Sequence, residues 1–264
     1  MISKDTKEKL KEKYIGMTSV SNQGYEMTII DYIKSDDVVV QFNDKYKSIK
    51  HCQMVNFKNG AVSNPNHPTV YGFGIVDVDR KHLIEEREYR TWTHMIQRCY
   101  ISNENRRDRD STYKDCIVCE EWRRYSNFYN WIHLQGNYKK WENGGFSIDK
   151  DIIKKGNKIY CPEYCCLVPN YINNMFTKHQ GDRGLYPIGV SINIYGTFTV
   201  RVRDYKENKY KHYGNFNTPK EAFNFYKKKK EEYIRKAAQE EYDKNNIIEE
   251  CYNAMMNYQV EITD

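Results

Sequence analysis

Long apolar runs are missing from this chain. Of its 264 residues, 39% are hydrophobic and 30% charged, and no stretch approaches the roughly 20 apolar residues that a membrane-crossing helix needs. No membrane role is expected. The opening MISKDTKEKLKEKY is charged and amphipathic and lacks the apolar centre of a signal peptide, which leads us to expect a cytoplasmic protein. Without an export signal, the eight cysteines are expected to stay mostly reduced rather than form a disulfide framework. Internal repeats and low-complexity tracts are also missing. The seven histidines show no HExxH or paired spacing, which argues against a zinc-protease helix. No phosphate-cradling glycine loop is present, since Gly144-Gly145 is only a turn signal. No Ser/His/Asp set can be named from spacing.

What is present is a modest basic excess and much tyrosine. The net charge is +6, from 42 basic and 36 acidic residues, with 24 tyrosines. Placement of charge therefore matters more than its sum. Tyrosine and lysine interleave from Lys206 to Tyr213 and from Tyr226 to Tyr233, as on surfaces that stack against and neutralise nucleic acid. A lysine-, tyrosine- and asparagine-rich coding bias accounts for the composition equally well.

Turn residues and periodicity divide the chain into small α+β modules. Residues 1 to about 14 read as a charged helix, and residues 15 to about 75 as a small β module. Its strand candidates are Met27–Ile30, Val38–Phe42 and Gln53–Phe57, punctuated by Asn22-Gln23-Gly24, Ser35-Asp36-Asp37, Asn43-Asp44 and Lys58-Asn59-Gly60. Short strands at this spacing suggest a small barrel of SH3 type. Residues 85–135 read as helical around a polar loop from Ser102 to Tyr113, with Tyr89, Trp92 and Met95 on one helical face. From 144 to 176 the order is β-β-α, with a Lys155-Gly156-Asn157 turn and a helix from about Asn170. The expected modules are 1–78, 79–180 and 181–243, with an acidic amphipathic tail at 244–264 whose stripe is Ile247, Ile248, Cys251 and Met255. That tail is expected to cap another module or to contact a partner.

The segment Gly189–Ala237 carries the clearest functional signal. Thr197-Phe198-Thr199-Val200-Arg201-Val202-Arg203 alternates strictly, so Phe198, Val200 and Val202 share one face of a strand, and Thr197, Thr199, Arg201 and Arg203 the other. A small sheet with arginines on its open face can enter a major groove. Gly189-Val190, Tyr195-Gly196-x-Phe198, Val202-Arg203-Asp204 and Tyr213-Gly214-x-Phe216-x-Thr218-x-x-Glu221-Ala222 resemble an AP2 DNA-binding domain. The resemblance implies a three-stranded sheet backed by a helix. By position, the groove-facing set is Ser191, Asn193, Tyr195, Arg201, Arg203, Lys211 and His212. That family's best-known members carry arginine at the positions of Ser191 and Asn193 and tryptophan at those of Tyr195 and His212, so sequence preference does not transfer.

The central region resembles a phage HNH endonuclease. The resemblance rests on Tyr89-x-x-Trp92-x-x-Met95-x-x-Arg98-Cys99-Tyr100, Glu121-Trp122, Ser147-Ile148-Asp149-Lys150-Asp151-Ile152, Lys155-Gly156-Asn157-Lys158-x-Tyr160 and Cys165-x-x-Val168-Pro169-x-x-Ile172-Asn173. In that chemistry a histidine activates water, and an Asp with an Asn or His holds one divalent metal at the scissile phosphate. The resemblance makes Asp149 and Asn173 the ligands of Mg²⁺ or Mn²⁺, and Asn157 the residue that ties the loop. Lys150 stands where the base histidine is expected, and lysine is a poor base at neutral pH unless strongly desolvated. Three readings stay open: an inactive unit that keeps the fold, an active nuclease using Asp151, Lys150 or His133 as base, and a structural accident around a mixed turn. Cys116-x-x-Cys119 before the unit, with Cys161 and Cys165 within it, is compatible with a structural Zn²⁺, or with buried free thiols.

Together these resemblances imply a duplex-DNA-binding protein of a phage or other mobile element, akin to homing endonucleases. Its activity is either divalent-metal-dependent nicking or cleavage, or binding without cleavage as a regulator or as an anti-CRISPR-like inhibitor of a host defence complex.

Overall fold

The structure, a computed structural model, describes residues 4–79, 83–101, 113, 115–177, 185–207 and 209–262. The chain forms two units: Met1–His82 with Arg123–Ser126, and Leu83–Trp122 with Asn127–Asp264. Both mix helices with small sheets.

In the first unit, α1 (Lys4–Tyr14) precedes β1 (Thr18–Val20), β2 (Glu26–Lys34), β3 (Asp37–Phe42), β4 (Ile49–Cys52) and α2 (Met54–Lys58). The strands form an antiparallel sheet in the order β1-β2-β3-β4. Met27, Ile29, Val38, Val40 and Phe42 point to one core with Met54, Phe57 and Val62, and Leu10 and Tyr14 of α1 pack on it. This differs from the expected barrel: among the described residues the sheet stays open, with β1 and β4 as its edges. Gln53–Phe57, read as a strand, is mostly helix. Met54 and Phe57 are buried at a spacing of three while Val55 is exposed, and so short an apolar run does not separate the two periods.

The remainder comprises α3 (Arg87–Tyr100), β5 (Ile117–Val118), α4 (Tyr125–His133), α5 (Tyr138–Glu142), β6 (Phe146–Asp149), β7 (Ile159–Tyr160), β8 (Cys166–Pro169) and α6 (Asn170–Phe176). After these come β9 (Val190–Ile192), β10 (Phe198–Arg203), β11 (Tyr210–Phe216), α7 (Pro219–Asp243) and α8 (Glu249–Met256). Most of the polar loop read from Ser102 to Tyr113 lies outside the described residues. The strand after the Lys-Gly-Asn turn, β7, pairs in parallel with β5, while β6 takes β8 as its antiparallel partner. The β-β-α order is thus β6-β8-α6, with β7 diverted to a second small sheet.

Helix α7 organises the second unit. Thr218 Oγ1 accepts the Glu221 N–H at 3.2 Å while Glu221 reaches back to the Thr218 N–H at 3.3 Å, with Pro219 in the first helical position. This is a capping box with proline where its missing N–H costs nothing. The helix has 25 residues, about 37 Å of axis, long enough to serve two cores. Its first half, through Ala222, Tyr226 and Tyr233, backs the sheet by packing on Val200 and Val202. Its second half, through Ile234, Ala237 and Ala238, packs on Ile152, Cys166, Val168 and Ile172 of the β6-β8-α6 region and on Ile247, Cys251 and Met255. Met175, Tyr205 and Tyr258 border both clusters. The expected 180/181 boundary lies outside the described residues, and residues on either side of the expected 243/244 boundary share the second of these clusters. The acidic tail buries Ile247, Cys251 and Met255 and leaves Ile248 exposed.

Candidate nucleic-acid interface

Register decides which side chains share the open face of the β11-β10-β9 sheet. Thr199 pairs with Ser191, Arg201 with His212 and Arg203 with Tyr210, whereas Val200 pairs with Tyr213 and Val202 with Lys211. Cross-strand partners point to the same side. Val200 and Val202 face α7, so Ser191, Thr199, Arg201, Arg203, His212 and Tyr210 lie on the other side. None of these is a carboxylate. Neither arginine has an ion-pair or hydrogen-bond partner among the described residues, and the Arg201 guanidinium lies 5.3 Å from the Tyr210 ring centroid, a cation–π distance.

Of the seven groove-facing residues inferred by position, the structure brings Ser191, Arg201, Arg203 and His212 to this face and Tyr195 to the hairpin tip beside it. Asn193 is committed elsewhere. Its Oδ1 accepts the N–H groups of Tyr195 (2.9 Å) and Thr197 (3.1 Å), and its Nδ2 donates to Thr197 Oγ1 (2.7 Å) and Asn215 Oδ1 (3.1 Å). Lys211 stands on the α7 side of the sheet, with Nζ 2.8 Å from Asp204 and 2.9 Å from Glu207. Adjacent residues of one strand alternate faces, so Lys211 and His212 do not share one. The Lys211 bond and the Glu207 and Lys206 N–H groups hold the Asp204 carboxyl down at about 2, which fixes the turn between β10 and β11. Tyr210 was missed, because only the register places it opposite Arg203.

Behind the sheet, Lys230 is half-buried on α7 between Tyr226 and Ile234 and has no partner among the described residues. Burial, and after it the charge of Arg203, lowers its ammonium to about 8.

The β6–β7 connection holds the other expected site. Asp149 is 7% exposed, and its Oδ1 accepts the N–H groups of Asp151 (2.8 Å) and Ile152 (2.7 Å). Burial, and then the charge of Asp151, raises its carboxyl to about 6 against those two amides and Lys150. Lys150 is 8% exposed. Its Nζ donates to Asp151 Oδ2 at 3.0 Å and to the Asn157 carbonyl at 3.2 Å. Burial alone would lower its ammonium, but Asp151, Cys116 and Asp149 together hold it above its ordinary value. Lys150 is therefore a paired cation rather than a free base. Asn157, also buried, donates from Nδ2 to the carbonyls of Lys150 and Ile159, each at 2.7 Å, and accepts the Ile159 N–H at 3.2 Å. It closes the loop on itself. Asn173 is half-buried on α6. His133 is taken up in α4, its ring tilted against those of Tyr129 and Tyr138, with Nε2 3.2 Å from Glu88.

All four candidate zinc ligands are free thiols. Cys119 follows β5, and its N–H donates to the Tyr160 carbonyl at 2.9 Å. Its thiol, like that of Cys161, accepts two backbone N–H groups, yet burial raises both, Cys161 to about 11. Burial also raises Cys116 and Cys165. No group of three or more His, Cys, Asp or Glu side chains able to hold a metal ion occurs among the described residues.

Fold and site together define a mixed α+β protein whose arginine-bearing sheet and aspartate–lysine loop both pack on one long helix. Set against known protein families, curated proteins and solved structures, the chain matches none.

Proposed function

We propose that this is a phage or mobile-element protein that binds duplex DNA through the open face of its β11-β10-β9 sheet, in the manner of an AP2 domain, and that it binds without cutting. The observation that carries the reading is the pair of guanidiniums without an ion-pair or hydrogen-bond partner among the described residues, Arg201 and Arg203, held by one strand on a face without carboxylates. Free cations on a rigid frame gain counterion release on meeting phosphates, and Ser191, Thr199 and His212 beside them can reach base edges.

The β6-β8-α6 region, which resembles an HNH unit, is in this reading a scaffold. One oxygen of Asp149 is already engaged by two amides, and the ammonium of the next residue stays charged at the same loop. Asp149 with Asn173 is thus a poor set for Mg²⁺ or Mn²⁺, which want several unshared oxygens. Of the three candidate bases, Lys150 and Asp151 are paired with each other at 3.0 Å, and His133 of α4 is held against Glu88. Such a protein acts by occupying DNA, as a regulator or as an inhibitor of a host defence complex.

The test incubates purified protein with supercoiled and linear DNA in Mg²⁺ and in Mn²⁺. A gel shift with intact DNA is expected. Nicking that disappears in Asp149→Asn would overturn the scaffold reading.

A further inference from the structure

The hairpin joining β9 to β10 ends in two large side chains with almost no cover: Ile194 is 91% and Tyr195 82% exposed. Single exposed apolar residues are ordinary on protein surfaces. These two differ in how they are held. The Asn193 N–H donates to the Thr197 carbonyl at 2.9 Å, and the Gly196 N–H to the Asn193 carbonyl at 3.1 Å. The Asn193 side chain clamps the turn from inside through Tyr195 and Thr197, and Gly196 takes the left-handed φ of +79° that closing the turn requires. Both side chains are thus presented on a fixed turn, so little ordering cost remains for binding.

The sheet changes character in order along its length. Apolar groups stand at the tip, Ser191, Thr197 and Thr199 in the middle, and Arg201, Arg203 and His212 at the far end. At about 3.3 Å per residue, Thr197 and Arg203 lie about 20 Å apart, more than the roughly 12 Å width of a major groove. A duplex whose phosphates meet the arginines extends to the tip. The hydroxyls between already bond within the sheet, Ser191 Oγ with Thr199 Oγ1 at 3.0 Å and Thr197 Oγ1 accepting from Asn193. Their remaining lone pairs suit the amino groups of base edges, whereas lipid hydrocarbon offers the hydroxyls no partner.

The geometry points to Ile194 and Tyr195 as a wedge that enters between base pairs and kinks the bound duplex. The inference rests on the DNA-binding reading above and adds deformation to it. Apolar wedges of this kind unstack a base step and bend the helix, most easily at pyrimidine–purine steps.

The test uses a mixed-sequence duplex containing TA and CA steps, with 2-aminopurine at each in turn and a fluorophore pair at its ends. The wild type is expected to raise 2-aminopurine fluorescence and shorten the end-to-end distance on binding. Ile194→Ser and Tyr195→Ser, both at exposed positions, should keep the salt dependence of binding, lose both signals, and lower affinity about tenfold for Tyr195. Salt-dependent binding without unstacking or bending, or serine variants that bend DNA as the wild type does, overturns the wedge alone. Absence of any DNA binding, or attachment of the tip to anionic vesicles instead, overturns the wedge and the DNA-binding reading together.

Discussion

Replacing Asp149 by Asn separates a scaffold from a catalytic site. The asparagine keeps an Oδ1 acceptor for the Asp151 and Ile152 amides and removes the buried charge, the smallest of the three that hold up the Lys150 ammonium. The folded-state carboxyl titrates at about 6, while an unfolded aspartate titrates near 3.9. A carboxyl raised on folding contributes its stabilisation below the unfolded value and loses it as pH rises through the folded one. In the wild type, stability therefore declines from about pH 4 to about pH 7 on this account, by at most about 3 kcal/mol at 1.36 kcal/mol per pH unit. Asp149→Asn removes that decline. Urea unfolding at pH 4, 6 and 8 should show the variant close to the wild type in acid and more stable by up to that amount at pH 8. A variant less stable than the wild type at pH 8, or a difference that does not change with pH, refutes the reasoning.

Two further substitutions test the frame. Gly189 sits at φ +74°, with an added Cβ only 2.1 Å from the Tyr226 ring, so Gly189→Ala combines backbone strain with displacement of a buried ring and should cost about 3 kcal/mol in urea unfolding. Gly196→Ala, with nothing within 4 Å, should cost only the backbone term of about 1 kcal/mol; equal effects would contradict the packing of Gly189 on α7. Asn157→Ala strands two buried carbonyls and should lower stability by about 3 kcal/mol, and a melting temperature like that of the wild type would show that the loop does not depend on this tie.

Much of the sheet was legible in the sequence because strict alternation from Thr197 to Arg203 has one reading: apolar residues inward, arginines outward. The neighbouring strand was not legible in the same way. Lys211 and His212 were assigned to one face by position, whereas pairing opposite Val202 and Arg201 sends them to opposite faces, and register cannot be read from one strand. Helix α7 was visible as amphipathic, but a stripe does not say which core it fills, and its second half fills another. The aspartate and lysine of the β6–β7 loop were visible as residue types. Their burial and the amides that occupy Asp149 arise from the fold. In the first unit, a short apolar run at 53–57 fitted strand and helix alike, and packing of Met54 and Phe57 on the sheet chose the helix.

The central claim is that the arginine-bearing face holds DNA, and the salt dependence of binding tests it most directly. With a mixed-sequence duplex, log K is measured against log salt for the wild type and for Arg201→Ala/Arg203→Ala. Removing two phosphate contacts at about 0.9 each should flatten the slope by about 2 and weaken binding at every salt concentration. An unchanged slope and affinity in the double variant would contradict the account.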